Sequence, residues 1–97
     1  MDKDKIIRTI SQEHKNLSGR YAVKQLYLFG SVARGESTAT SDIDFLVEFN
    51  RAVGYFHLFA LQDYLESLFD CKVDLGTPDS LKPRIRERVI GECIHVA

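Results

Sequence analysis

The sequence predicts an α/β (α+β) fold, a small mixed sheet flanked by helices. Residues 23–29 and 42–49 are short strand-like runs rich in aliphatic and aromatic residues, with Ile43, Phe45 and Val47 sharing one face. Apolar residues recur at helical spacing near both ends and in the stretch 55–69. The order is helix, strand, turn, strand, helix, strand, helix, which suits a sheet covered by helices. The chain of 97 residues is sized for one small domain, so residues 1–97 read as a single unit.

Each element has its own signal. Ile6, Ile7, Ile10 and Leu17 share a helical face, so residues 3–17 read as an amphipathic helix with His14 on the core or boundary side. Ser18-Gly19 ends it. Residues 23–29 form a strand, broken at Gly30-Ser31, and one helical turn runs from Ser31 to Arg34 and stops at Gly35. Glu36 to Ser41 is polar and small, hence a loop. Residues 42–49 form the second strand. Residues 55–69 form the most periodic helix, with Leu58, Leu61, Leu65 and Leu68 on one stripe and His57 and Tyr64 on the exposed side. Tyr55 and Phe56, beside that stripe, read as core. Residues 71–76 form a third strand, and a last helix covers about 80–91, with Leu81, Ile85 and Val89 inward. Ile94 to Val96 reads as a short final strand.

Composition narrows the function. A hydrophobic content of 44% with six Phe and four Tyr excludes a disordered chain. The net charge of −1 gives no global attraction to nucleic acid or membranes, so stable nucleic-acid binding is not expected. Cys71 and Cys93 lack metal-type spacing and read as buried or half-buried free thiols in a reducing cytoplasm. The first residues are charged, which is unlike a signal peptide. No apolar run is long enough to span a bilayer, so no membrane partner is expected.

The chemistry lies in Leu28-Phe29-Gly30-Ser31-Val32-Ala33-Arg34-Gly35 and Ser41-Asp42-Ile43-Asp44-Phe45-Leu46-Val47. A glycine at the end of a strand lets a phosphate approach its backbone, and a helix start offers N–H groups to an anion. Alone, Gly-Ser also reads as a simple helix cap. Asp42 and Asp44, two apart on a strand, project from the same face, while Ile43, Phe45 and Val47 point to the other. Two such carboxylates repel unless a cation sits between them, and hard oxygen ligands suit Mg²⁺. Alone, the pair also reads as a solvated strand end. Asp74 is a charge inside the apolar Val73-Asp74-Leu75 and needs a partner, either a salt bridge such as Arg34 or the other acids through shared cations. Three carboxylates can hold two cations about 3.5–4 Å apart, the spacing of two-metal phosphoryl-transfer sites. Lys82, Arg84, Arg86 and Arg88 form a basic cluster on the last helix, which reads as a solvated face.

Together, Gly30-Ser31, Asp42-x-Asp44 and a later strand Asp74 resemble the signature of the nucleotidyltransferase superfamily related to DNA polymerase β. The fuller pattern, Gly-Ser-Val-Ala-Arg-Gly then Ser-Asp-Ile-Asp-Phe-Leu-Val, resembles its minimal nucleotidyltransferase (MNT) subfamily, over nearly the whole chain. The resemblance implies a polymerase-β-like fold, with Asp42, Asp44 and Asp74 as catalytic residues holding two Mg²⁺ (or Mn²⁺) ions. It implies nucleotide contacts from Gly30, Ser31, Arg34 and Ser41, Arg34 serving chiefly as a brace for the acids. ATP is then the nucleoside triphosphate donor. A chain of this length has no acceptor-binding domain, so the acceptor is expected on another molecule. By resemblance that is a HEPN ribonuclease toxin, adenylylated on a tyrosine, with this chain as cytoplasmic antitoxin. Two alternatives stand beside this: an antitoxin that only masks its partner sterically, and a nucleotidyltransferase acting on RNA or a small molecule.

Overall fold

The structure is a computed structural model and describes residues 3–35 and 42–97. Four strands form one sheet in the order β3-β2-β1-β4, with β1 at Val23–Phe29, β2 at Ile43–Phe49, β3 at Val73–Gly76 and β4 at Ile94–His95. β1 runs antiparallel to β2 and β4, and β2 runs parallel to β3. The predicted mixed sheet flanked by helices is present. The parallel pair needs a crossover, and α4 (Tyr55–Phe69) supplies it.

One face of the sheet is the core. Leu26 and Leu28 of β1, Ile43, Phe45 and Val47 of β2, and Val73 of β3 are buried there. Against them pack Ile6 and Ile10 of α1 (Lys3–Gln12), Leu17 of α2 (His14–Gly19), and Leu61 and Leu65 of α4. Each such side chain contributes about 1.5–3 kcal/mol on burial. The opposite face carries Tyr27, Asp44, Leu46 and Glu48, and α5 (Pro83–Glu92) lies over part of it.

Several boundaries differ from expectation, each for a physical reason. The first helix divides at Glu13, whose N–H is shared between the carbonyls of Thr9 and Ile10. Its carboxylate accepts hydrogen bonds from Asn16 Nδ2 and from the Tyr64 hydroxyl. Tyr64 is therefore half-buried rather than exposed, and its ring stacks on Tyr21 at 4.8 Å between centroids. His57, also expected to be exposed, is half-buried with Nε2 2.6 Å from the Tyr21 carbonyl. His14, by contrast, is exposed.

The third strand begins at Val73, not Cys71, although the Ile43 N–H already reaches the Lys72 carbonyl. Both cysteines are free and half-buried, as expected. The last helix starts at Pro83 because a residue before proline is driven out of the helical region. Lys82 is accordingly extended, and Pro78–Ser80 forms a separate 3₁₀ turn. No residue of α5 is fully buried: Val89 is half-buried and Ile85 is exposed, and Leu81, which falls before the helix, is half-buried, against the inward stripe expected. Tyr55 and Phe56 are also no part of the core, being 79% and 92% exposed.

Candidate active site

Gly30 ends β1 with φ +76° and opens α3, the single helical turn Gly30–Ala33. A side chain there would be strained, and it would also have no room. A Cβ at Gly30 would collide with Asp44 Oδ2 and lie 3.1 Å from its Cγ. The glycine therefore serves the acid as much as any incoming phosphate. Ser31 follows, half-buried, and Gly35 (φ +74°) stops the turn.

β2 delivers Asp44 beside Gly30, because the antiparallel register sets Asp44 opposite Phe29. β3 delivers Asp74, because the parallel register sets it directly alongside Asp44. The two carboxyl groups share a hydrogen bond, and Asp44 is pushed up to about 6. Burial is the largest cause, followed by the charge and hydrogen bond of Asp74 and the charge of Asp42; the Arg34 charge opposes them. Asp74 is exposed on the open face rather than embedded among its apolar neighbours. The half-buried Asp42 sits one step before the strand, with Oδ2 4.0 Å from Lys72 Nζ.

The structure thus brings Gly30, Asp44 and Asp74 together, with Asp42 and Arg34 close enough to act on Asp44 electrostatically. Arg34 Nη1 lies 3.5 Å from Glu92 Oε2, which ties α3 to the end of α5. Ser41 falls outside the described residues. Lys72 and Glu92 are additions that the sequence pattern did not single out. Lys72 was findable, since it precedes Asp74 by two on the same strand face. Glu92 carried no comparable signal. The basic cluster is largely solvated, with Arg86 3.6 Å from Asp79 and Arg88 3.5 Å from Glu92.

Among the described residues, no three His, Cys, Asp or Glu side chains form a ready-made metal cage. The donor set still fits Mg²⁺, which commonly takes one or two carboxylates and completes its shell with substrate phosphate and water. Two all-oxygen donors already meet at Asp44 and Asp74, and their mutual repulsion is what a cation relieves. A cavity of about 900 Å³ lies elsewhere, at the far end of β2 near Arg51, Gly54 and Tyr55. A smaller one, about 370 Å³, lies under α5 beside Leu46.

Comparison with known proteins agrees with this arrangement. The family described as the nucleotidyltransferase domain matches residues 4–96. A Methanocaldococcus jannaschii protein provisionally named a protein adenylyltransferase is 47% identical over 76 residues, 77% of this chain and 88% of that one. The protein adenylyltransferase MntA of Thermococcus cleftensis is 34% identical over 93 residues, 96% of this chain and 94% of its own. A solved structure provisionally described as a minimal nucleotidyltransferase superposes with a TM-score of 0.81 at 35% identity, covering 97% of this chain and 95% of that one. A mutant of the toxin–antitoxin pair MntA-HpeT superposes with a TM-score of 0.68 at 25% identity, covering 100% and 72% respectively. The matched domain makes this chain an enzyme that transfers nucleotidyl groups. This chain belongs to the nucleotidyltransferase domain family, in its minimal nucleotidyltransferase (MNT) branch.

Proposed function

We propose that the chain is a Mg²⁺-dependent protein adenylyltransferase that moves AMP from ATP to a hydroxyl of a partner protein. The observation that carries this reading is the juxtaposition of Asp44 and Asp74 across the β2–β3 pair, hard against Gly30. The names of the relatives support the protein acceptor, the toxin–antitoxin pair among the structural neighbours supports a toxin as that partner with this chain as antitoxin, and the resemblance to the MNT subfamily makes that toxin a HEPN-type one. No helix among the described residues is long and apolar enough to cross a membrane.

Asp42, Asp44 and Asp74 would hold two Mg²⁺ ions, or Mn²⁺ in their place. Bound there, the cations neutralise charge on the attacking and leaving oxygens. Gly30 and Ser31 would receive the terminal phosphates. Arg34 and Ser41 would add phosphate contacts. The acceptor oxygen attacks the α-phosphorus, the bond to the bridging α–β oxygen breaks, and pyrophosphate leaves. Asp74, the most exposed of the three acids, would take the acceptor proton.

The test is incubation with Mg²⁺, radiolabelled ATP and a candidate HEPN partner. Label moves to the partner with wild type and stays on ATP with the double variant Asp42→Asn/Asp44→Asn. Neutralisation of the partner by the double variant, at the wild-type level and without label transfer, would establish steric masking instead.

A further inference from the structure

We infer that the slot between α5 and the open face of the sheet seats the nucleoside half of the triphosphate, with Tyr27 as its stacking floor and Ile90 as its cover. This inference rests on the nucleotide reading proposed above. The slot has a volume of about 370 Å³ and is lined by Tyr27, Leu46, Pro78, Ile90, Cys93 and His95.

Its position follows from strand geometry. Leu46 is the next residue after Asp44 on the same face of β2, so the slot begins about 7 Å along the strand from the carboxylate. The register repeats the relation on β1: Tyr27 lies opposite Leu46 as Phe29 lies opposite Asp44. A triphosphate anchored at Gly30 and Asp44 therefore has the slot directly ahead of it on the same face, one ribose away.

The lining is suited to a flat, mostly apolar group. Leu46 is 2% exposed and forms the base of the slot. The Tyr27 ring is half-buried, with the His95 ring 5.5 Å away and tilted by 55°. Ile90 is 52% exposed on a helix that buries none of its residues fully, so α5 holds an apolar side chain over a gap instead of packing it. Protein interiors ordinarily close such gaps. Any nucleobase offers a π-face, and stacking on an aromatic side chain is tolerant of which base it is. Glu48 and Arg86 also line the slot and supply an acceptor and donors for the base edge. The 900 Å³ cavity fits less well, since it lies beyond Glu48, further from the acids.

Cys93 makes the inference testable without turnover. It lines the slot, whereas Cys71, also half-buried, precedes β3 and lies outside it. In the intact protein with Mg²⁺, ATP should slow alkylation of Cys93 and inorganic tripolyphosphate should not, with Cys71 as internal control. Tyr27→Ala should weaken ATP binding about tenfold while tripolyphosphate binds as before, since base stacking is worth about that much. Tyr27→Phe should retain wild-type affinity for ATP. Ile90→Ser, at a position exposed enough to leave folding intact, should weaken ATP in the same sense. Equal protection by both ligands, or wild-type ATP affinity in Tyr27→Ala and Ile90→Ser, overturns the slot. ATP that binds but leaves Cys93 unprotected also overturns the slot and leaves the nucleotide site standing. Wild type binding neither ATP nor tripolyphosphate overturns both.

Discussion

At the scale of single residues, the site is a place where the free protein is held at an electrostatic disadvantage. Asp44 is pushed up to about 6, so the folded chain binds its proton more tightly than the unfolded chain does. Stability from this group is therefore full below the ordinary carboxylate range, falls as pH rises toward about 6, and is flat above that. Allowing for solvent screening of a half-open pair, the loss is about 1–2 kcal/mol. Asp44→Asn should raise the urea midpoint of the ligand-free protein at pH 7.5, for example, by a margin that vanishes near pH 4, while abolishing transfer. An Asp44→Asn variant less stable than wild type at neutral pH would show that the acids are not in conflict. Gly30 is the second residue-scale pressure point. Gly30→Ala adds a Cβ into Asp44 Oδ2 and places alanine at φ +76°, so it should cost about 1–3 kcal/mol and most of the activity. Thermal melts together with a label-transfer assay measure both.

At the scale of elements, the sequence was most legible where the local pattern alone decides. Val23–Phe29 and Tyr55–Phe69 coincide with the strand and helix read from a β-prone run ended by Gly30-Ser31 and from the leucine stripe. Boundaries slipped where a neighbouring element intervenes. Val73 opens β3 with its N–H donated to Glu66 Oε2 at 3.0 Å and its carbonyl receiving Gln62 Nε2 at 2.7 Å, both from α4. Nothing in the strand's own pattern announces that. The same holds for Tyr64, whose partners Glu13 and Tyr21 come from the first part of the chain. A leucine stripe also says which face of a helix is apolar, not which turns of it meet the sheet. Hence Leu61 and Leu65 are buried while Tyr55, Phe56 and Phe59 stand in solvent. The Val73 contacts predict a functional effect from a structural change: Gln62→Ala and Glu66→Ala should each cost about 1 kcal/mol, loosening the strand that carries Asp74. Faster amide exchange at Val73, with a lower transfer rate and an unchanged ATP affinity, is the expected result.

At the scale of the whole molecule, the motif was legible because each piece is local: a strand end at Gly30, an i,i+2 pair at Asp42 and Asp44, one acid in a later strand. What the sequence could not supply is the register that makes them one site. The pairing of Asp44 with Asp74 depends on the parallel alignment of two strands separated by a whole helix. The site's internal repulsion also sets a ligand prediction. Mg²⁺ with ATP should stabilise the protein, by about 2.7 kcal/mol at a hundredfold excess over Kd, and chelation should reverse it. The gain should be larger at pH 8 than at pH 5, because Asp44 must be ionised to act as a ligand. Calorimetric scans at the two pH values, with and without chelator, check the sign.

The parallel β2–α4–β3 crossover has a consequence in time as well as in space. The antiparallel β1–β2 pair joins neighbours in sequence, whereas β3 can dock only after the intervening helix has folded back. Non-local pairings of this kind close late, because the loop entropy is lost before the contacts form. The two acids that meet at the site lie on opposite sides of that last seam. A nascent or partly folded chain thus holds its Gly30 turn and one strand of acids without their counterpart, and the assembled cluster becomes a certificate of completed folding.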